Sequence, residues 1–183
     1  MWPLLATAVW ALYLILERLF YYNIILRPQR KFIALITDAD TLPDAPGRSR
    51  ILKSLADARK QKRLHAELSL NTAERDLQDA EYGLPSLGII AQAAPLLGLL
   101  GTVTGLVRAF MRIEALSGLV NPSDLAGGIW EALLTTVVGL VIGIPALIAH
   151  NYFMSRLQTF EREQRLLIAR IADDFQRRGW EVI

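Results

Sequence analysis

Glu131 is the only acidic residue between Asp124 and Glu161, it sits in apolar sequence, and two hydroxyls, Thr135 and Thr136, follow it about one helical turn later. A charge at the centre of a bilayer costs on the order of 3 kcal/mol even on the lenient insertion scale. Glu131 is therefore expected to face protein or water, or to carry a proton. Hydroxyls donate and accept hydrogen bonds without becoming charged, so a carboxyl with hydroxyls one turn deeper is a polar path that a proton could follow. Thr135 shares a helix face with Glu131, whereas Thr136 is rotated by about 140°. Thr102, on the preceding apolar segment, lies at a similar depth to Thr136 when each is counted from its helix end. The same groups also fit a plainer reading, packing hydroxyls and an interfacial carboxylate, and the residues alone leave both open.

The elements that carry these groups are set by where charge is missing. Residues 82–107 hold no formal charge over 26 positions, and a bilayer core of roughly 30 Å needs only about 20. This is the second of three expected spans, 84–112. The third, 122–153, is interrupted only by Asp124 and Glu131. The first, 1–26, starts with a 15-residue apolar run and continues past Glu17 and Arg18, which snorkel or face protein, to an aromatic cluster at the interface. A cleaved signal is the competing reading of that run, but no basic segment precedes it and no small-residue cleavage pattern follows. The fold class is an all-α integral membrane protein with three transmembrane helices.

Orientation follows from the 20 Lys and Arg residues. Eleven fall between Arg27 and Arg75 and six after Phe153, whereas the link 113–121 holds none. By the positive-inside rule, 27–83 is a cytoplasmic helical domain, 154–183 a cytoplasmic helical tail, and the N-terminus and the link 113–121 face the outside. From Arg48 onward, after a break at Pro43-Asp-Ala-Pro-Gly47, Ile51, Leu55, Leu64, Leu68, Ala73, Leu77, Ala80 and Leu84 recur mostly at helical steps. Leu157, Phe160, Leu167, Ile168, Ile171 and Phe175 do the same in the tail. No breaker separates the tail from the third span, so one helix of roughly 80 Å is expected from about Pro122 to Gln176. Asn121 before Pro122 starts it and Gly179 stops it. Spans two and three thus extend far into the cytoplasm.

Small residues show how the spans meet. Gly98, Gly101 and Gly105 recur at three to four on span two, and Gly139 and Gly143 on span three, with Pro95 and Pro145 among them. Lipid gives helices no hydrophobic drive to associate, so close approach at small residues must supply it.

Other chemistries find no support. Without cysteine there is no disulfide and no thiolate metal site, and His65 and His150, each expected to be solvated or interfacial, lack a second ligand at metal spacing. The glycine run lacks the Gly-Lys-Ser/Thr ending of a phosphate loop. No enzyme, organic cofactor or nucleic-acid partner is expected. Arg108 and Arg112, near the outer end of span two, suit membrane lipid head groups first; pairing with Glu114 or tuning of proton access are the alternatives.

The motif Ala94-Pro-Leu-Leu-Gly-Leu-Leu-Gly-Thr-Val-x-Gly105, followed by Asp124-Leu-Ala-Gly-Gly-Ile-Trp-Glu-Ala-Leu-Leu-Thr-Thr-Val-Val-Gly-Leu-Val-Ile-Gly-Ile-Pro-Ala146 and Asn151-Tyr-Phe, resembles the ExbB/TolQ branch of the MotA/TolQ/ExbB proton-channel family. Glu17-Arg18-Leu-Phe-Tyr resembles the end of that family's first span. The resemblance implies a homopentameric helical bundle in the bacterial inner membrane, its second and third spans lining a central pore. An ExbD- or TolR-like dimer of single-span chains sits in that pore and bears an essential aspartate. Protons are the implied coupling ion, and the work passes to a periplasmic effector, TonB-like by preference and Tol-type as runner-up. Carried over by motif, Thr102 and Thr136 are pore-facing hydroxyls and Glu131 a carboxyl near the periplasmic entrance; Thr135 occupies a more variable position. A passive membrane scaffold is the reading from a different class.

Overall fold

The computed structural model describes residues 2–23, 50–115 and 122–183; the break at 43–47, the helix start at Asn121, residues 24–26 of the first span and the remainder of the link lie outside them. Helix α1 spans Trp2–Tyr21, α2 Arg50–Gln61, α3 Ala66–Glu81, α4 Leu84–Ala115 and α5 Pro122–Arg177, with two-residue strands β1 (Arg63–Leu64) and β2 (Glu181–Val182). Apolar stretches within Leu4–Tyr21, Ala66–Ala115 and Ala126–Arg177 are long and apolar enough to cross a membrane. Proline opens α5 and is the second residue of α4, positions where its missing N–H costs nothing. Helix α4 ends three residues beyond the expected boundary at 112.

Two compact units divide the chain, one within Met1–Leu16 and Gly83–Tyr152, the other within Glu17–Tyr82 and Phe153–Ile183. In the first, the antiparallel crossing of α4 and α5 is built from residues with almost no side chain. A Cβ on Gly98 would lie 2.8 Å from the Thr135 carbonyl, one on Gly139 2.6 Å from the Ala94 carbonyl, and one on Gly105 2.6 Å from the Ala132 Cβ. Pro95 fills the space over Gly143, where a Cβ would come within 2.6 Å of its ring. Pro95 also leaves the Ala91 carbonyl without its helical donor, and Gly143 packs against that oxygen, where only Cα–H groups can approach. Pro145 lies within α5, is itself exposed, and precedes buried Ala146. The buried positions Ala91, Ala94, Ala109, Ala132 and Ala146 continue the same small-residue stripe, while Leu96, Val103, Val107, Val141 and Ile148 point outward.

The second unit has a conventional apolar core. Ile51, Leu52 and Leu55 of α2, Leu64, Ala73 and Ala80, and Phe153, Leu157, Phe160, Leu167, Ile168 and Phe175 of α5 are buried. The helix expected to run on from Arg48 is interrupted at 62–65. Lys62 adopts a left-handed backbone with φ 57°, and β1 pairs in parallel with β2. The Ile183 N–H donates to the Leu64 carbonyl and the Ala66 N–H to the Ile183 carbonyl, each at 2.8 Å. This interruption shifts the phase of α3, so Ser69 and Ala73 are buried and Leu68, expected in the apolar stripe, is exposed. Gly179, at φ 70°, ends the turn that leads out of α5.

Arg18 is the most unusual member of this unit. It is 2% exposed, its Nη1 donates to the Ala80 carbonyl at 3.1 Å, and its Nη2 meets Glu17 Oε1 at 3.2 Å. The guanidinium also lies over the rings of Tyr21 and Tyr82 at 5.2 and 5.6 Å. A cation here caps the negative, C-terminal end of α3. Nearby, the Tyr22 hydroxyl donates to the Phe153 carbonyl at 3.3 Å, its ring 5.1 Å from that of Phe153.

Two outcomes follow from this packing. Gly139→Leu should destabilise the α4–α5 crossing by about 3 kcal/mol or more, beyond ordinary overpacking because backbone must move, whereas Gly127→Ala, with nothing within 4 Å of its Cβ, should stabilise by about 0.5–1 kcal/mol; unfolding in mixed detergent micelles reads both. Arg18→Met should cost about 2 kcal/mol, the worth of hydrogen bonds from a charged donor, and should speed hydrogen exchange selectively in the last turn of α3.

Candidate functional site

One carbonyl organises the polar groups of the crossing. The Gly98 oxygen accepts from Thr136 Oγ1 at 3.0 Å and from Thr135 Oγ1 at 3.1 Å. Thr102 Oγ1 lies 2.9 Å from Thr136 Oγ1 and donates to the Leu99 carbonyl at 2.8 Å, while Thr135 Oγ1 also reaches the Ala132 carbonyl at 2.7 Å. All three threonines are half-buried. Threonine is disfavoured in helix interiors, but here each hydroxyl satisfies itself on a carbonyl of its own or the facing helix. Glycine at 98 is what permits this. Any side chain there would separate the helices and pull the hydroxyls from their shared acceptor.

Three hydroxyl protons are thus distributed among five close acceptors, the Gly98, Leu99 and Ala132 carbonyls and the Thr102 and Thr136 hydroxyls. If Thr102 donates to Leu99, Thr136 can donate to Thr102 or to Gly98; if Thr136 keeps Gly98, Thr102 can turn to donate to Thr136. The cluster can therefore reorient and offer either a donor or an acceptor to an incoming group. It holds no titratable group, so it can hand on or orient a proton but cannot store one. Storage requires a titratable group such as a carboxyl.

Glu131 is exposed, on the same helix, and makes no hydrogen bond or ion pair among the described residues. The crossing fixes which way it points. Gly98 faces Gly139, Gly101 faces Thr135, Gly105 faces Ala132, and Gly128 faces Ala109. In an antiparallel pair, the residue after the contact position on either helix turns to one flank and the residue before it to the opposite flank. Thr102 and Thr136 each follow a contact residue, and on that flank their hydroxyls touch. Glu131 precedes Ala132 and lies on the other flank. The structure therefore brings Thr102, Thr135 and Thr136 together and keeps Glu131 apart from the Thr102–Thr136 pair. Gly98, Gly101, Gly105, Gly139, Gly143 and Pro95 form the seam beneath them.

Sequence reasoning missed a second polar contact. His150, expected to be solvated or interfacial, is half-buried, and its Nδ1 lies 3.0 Å from the Leu84 carbonyl. Its ring packs on Gly88, where a Cβ would come within 2.9 Å of it. The signal was present: Gly88 continues the small-residue period of Ala91, Ala94 and Gly98 by one more step. Arg108, Arg112 and Glu114 are exposed and form no ion pair with one another.

The model of the MotA/TolQ/ExbB proton channel family matches residues 43–165. The Tol-Pal system protein TolQ of Haemophilus influenzae is 38% identical over 91 residues, 49% of this chain and 39% of the relative. TolQ of Pseudomonas aeruginosa is 35% identical over 105 residues, 56% of this chain and 42% of the relative. The biopolymer transport protein ExbB of Neisseria gonorrhoeae is 38% identical over 82 residues, 45% of this chain and 37% of the relative. The matched segments thus span about two fifths of these relatives. With the family match covering both sides of the crossing, the hydroxyl cluster and Glu131, the chain belongs to the MotA/TolQ/ExbB proton channel family.

Proposed function

We propose that the chain is the channel and stator subunit of an inner-membrane motor that uses the proton motive force to energise a periplasm-spanning effector of the TonB class. The observation that carries this reading is the pairing of Thr102 with Thr136 on the Gly98 carbonyl: an adaptable hydroxyl site held open on helices of the family. A homopentamer brings five such sites around a pore, with the N-terminus and residues 113–121 on the periplasmic side and the C-terminus in the cytoplasm. Inside the pore stands a dimer of single-span, ExbD- or TolR-like chains whose membrane carboxyl stores the proton that the hydroxyls orient. Glu131 serves as the carboxyl nearest the periplasmic entrance. Exposed apolar residues such as Leu99, Val103, Val137 and Ile144 provide surface for neighbouring copies, the partner span and lipid.

The energetics suit a device that collects several protons per step. One charge crossing the membrane releases about 2.3 kcal/mol per 100 mV, so two or three are needed to offset the remaking of several helix contacts. The TolQ relatives favour a second reading, service in Tol-Pal envelope maintenance, since the match to the Pseudomonas protein covers more of this chain than the match to the Neisseria ExbB.

Thr136→Val keeps the shape and removes the hydroxyl; with the partner present, proton flux into reconstituted vesicles should fall about a hundredfold, within the range that positioned proton-transfer groups contribute, while the assembly stays intact and Thr136→Ser retains flux. Glu131→Gln should lower flux likewise. Full flux in both variants would leave a passive scaffold, for which only seam substitutions such as Gly98→Leu matter. Native mass spectrometry of the gently extracted complex should find five copies holding two of a small one-span protein, and that protein's periplasmic domain identifies the TonB or Tol branch. A monomer or dimer without such a partner would end the stator reading.

A further inference from the structure

The flank that carries Glu131 carries a second charge. Gly105 packs on Ala132 and Ala109 on Gly128, so the turn of α4 at 105–109 lies level with the turn of α5 at 128–132. Arg108 precedes the contact residue Ala109 just as Glu131 precedes Ala132. The rule that puts the Thr102 and Thr136 hydroxyls 2.9 Å apart on one side therefore puts Arg108 and Glu131 side by side on the other. Their levels differ by about two residues, roughly 3 Å along the axis. With helices this close, their Cβ atoms fall within about 10 Å, a gap that the two long side chains span in ordinary rotamers. Both are exposed, and neither has a hydrogen-bond or ion-pair partner among the described residues.

The geometry points to Arg108 as the counter-ion of Glu131, a positioning residue whose guanidinium fixes where the carboxyl sits on this flank, at the proton entrance in the outer part of the membrane. An isolated charge of either sign is costly in lipid, and pairing on one flank relieves both. Other charged or titratable groups are farther away. On α4, Arg112 and Glu114 lie one and one and a half turns beyond Arg108, toward the end of the helix. On α5, Asp124 precedes Glu131 by about two turns, and the part of α1 in this unit carries Tyr13 and no charged side chain. Only the consequence at a proton entrance rests on the channel reading; the pairing rests on packing alone.

The chain has no cysteine, so Arg108→Cys with Glu131→Cys leaves two thiols in the whole subunit. In the assembled protein in lipid nanodiscs, a short bifunctional methanethiosulfonate should bridge them within one subunit, read as one linker and no free thiol in the intact mass. Leu106→Cys with Glu131→Cys, at the same level but on the opposite flank, should take up two singly attached reagents instead. Failure to bridge the first pair would overturn the proposal. The second arm is a double-mutant cycle on unfolding in mixed detergent micelles: Arg108→Gln and Glu131→Gln should each destabilise the crossing, the pair together should lose less than the sum of the two, and the swap Arg108→Glu with Glu131→Arg should recover most of the loss. Additive losses, or the same coupling between Arg112→Gln and Glu131→Gln, would overturn the counter-ion role and point to lipid head groups as the partner of these arginines. If both arms succeed while no proton flux is found, the channel reading fails and the pairing stands.

Discussion

The unit that holds the candidate site depends on how closely two backbones approach at Gly98, Gly139 and Gly143. Between helices in water, burial of large apolar side chains supplies most of the attraction. In lipid that term vanishes, because a leucine against a neighbour is no better placed than a leucine against an acyl chain. What remains is dispersion at short range and polar contact, and both need the backbones near each other. Removing the Cβ atoms along the seam delivers both at once: the chains pack at van der Waals distance, and the Gly98 carbonyl becomes reachable from the facing helix. Packing glycines and the hydroxyl cluster are therefore one construction, and a substitution that widens the seam parts the hydroxyls from their shared acceptor even when it leaves every hydroxyl in place.

The same crossing separates the polar groups into two flanks. Thr102 and Thr136 meet on one; Glu131 and Arg108 lie on the other. A proton moving from the carboxyl to the hydroxyl pair inside a single subunit would have to cross the seam itself, where Thr135, hydrogen-bonded to the Gly98 carbonyl, is the polar side chain in the way. That gives Thr135 more weight than a variable family position implies. It also gives the hydroxyl flank a reason to need an external carboxyl, since among the described residues of α4 and α5 no titratable group shares that flank at the depth of Thr136.

Much of this was legible before the fold was known. The missing charges mark the spans, and the three-to-four spacing of Gly98, Gly101 and Gly105 marks the seam, because only one helix face can host a close approach. The register between the helices was not legible. Nothing in the spacing says that Gly98 stands opposite Gly139 rather than Gly143, and the placing of Thr136 on the Gly98 carbonyl follows from that choice alone. The break at 62–65 was hidden for a different reason: Lys62 and Arg63 carry no turn signal, and it is the long-range pairing of β1 with β2 that stops the helix there. The contact of His150 was missed because a histidine at a membrane boundary usually finds water, and its partner, the Leu84 carbonyl, is 66 residues away in sequence.

The two units follow opposite rules for the same reason. The unit containing α2 and α3 buries phenylalanine and leucine around Phe153, Phe160 and Phe175, as a domain in water must. Its exceptional feature is the one charge it buries. Arg18 sits among aromatic rings and carbonyls, and a buried guanidinium depends on such partners: the Ala80 carbonyl at the end of α3 meets Nη1 and Glu17 meets Nη2, while Nε is buried without a hydrogen-bond partner. In the unit of the crossing the exceptional features are the charges left outside, Glu131 and Arg108, which water would tolerate and lipid would not. A side chain that would pass unnoticed on a soluble protein becomes, on this helix pair, a group that must find a partner or a proton.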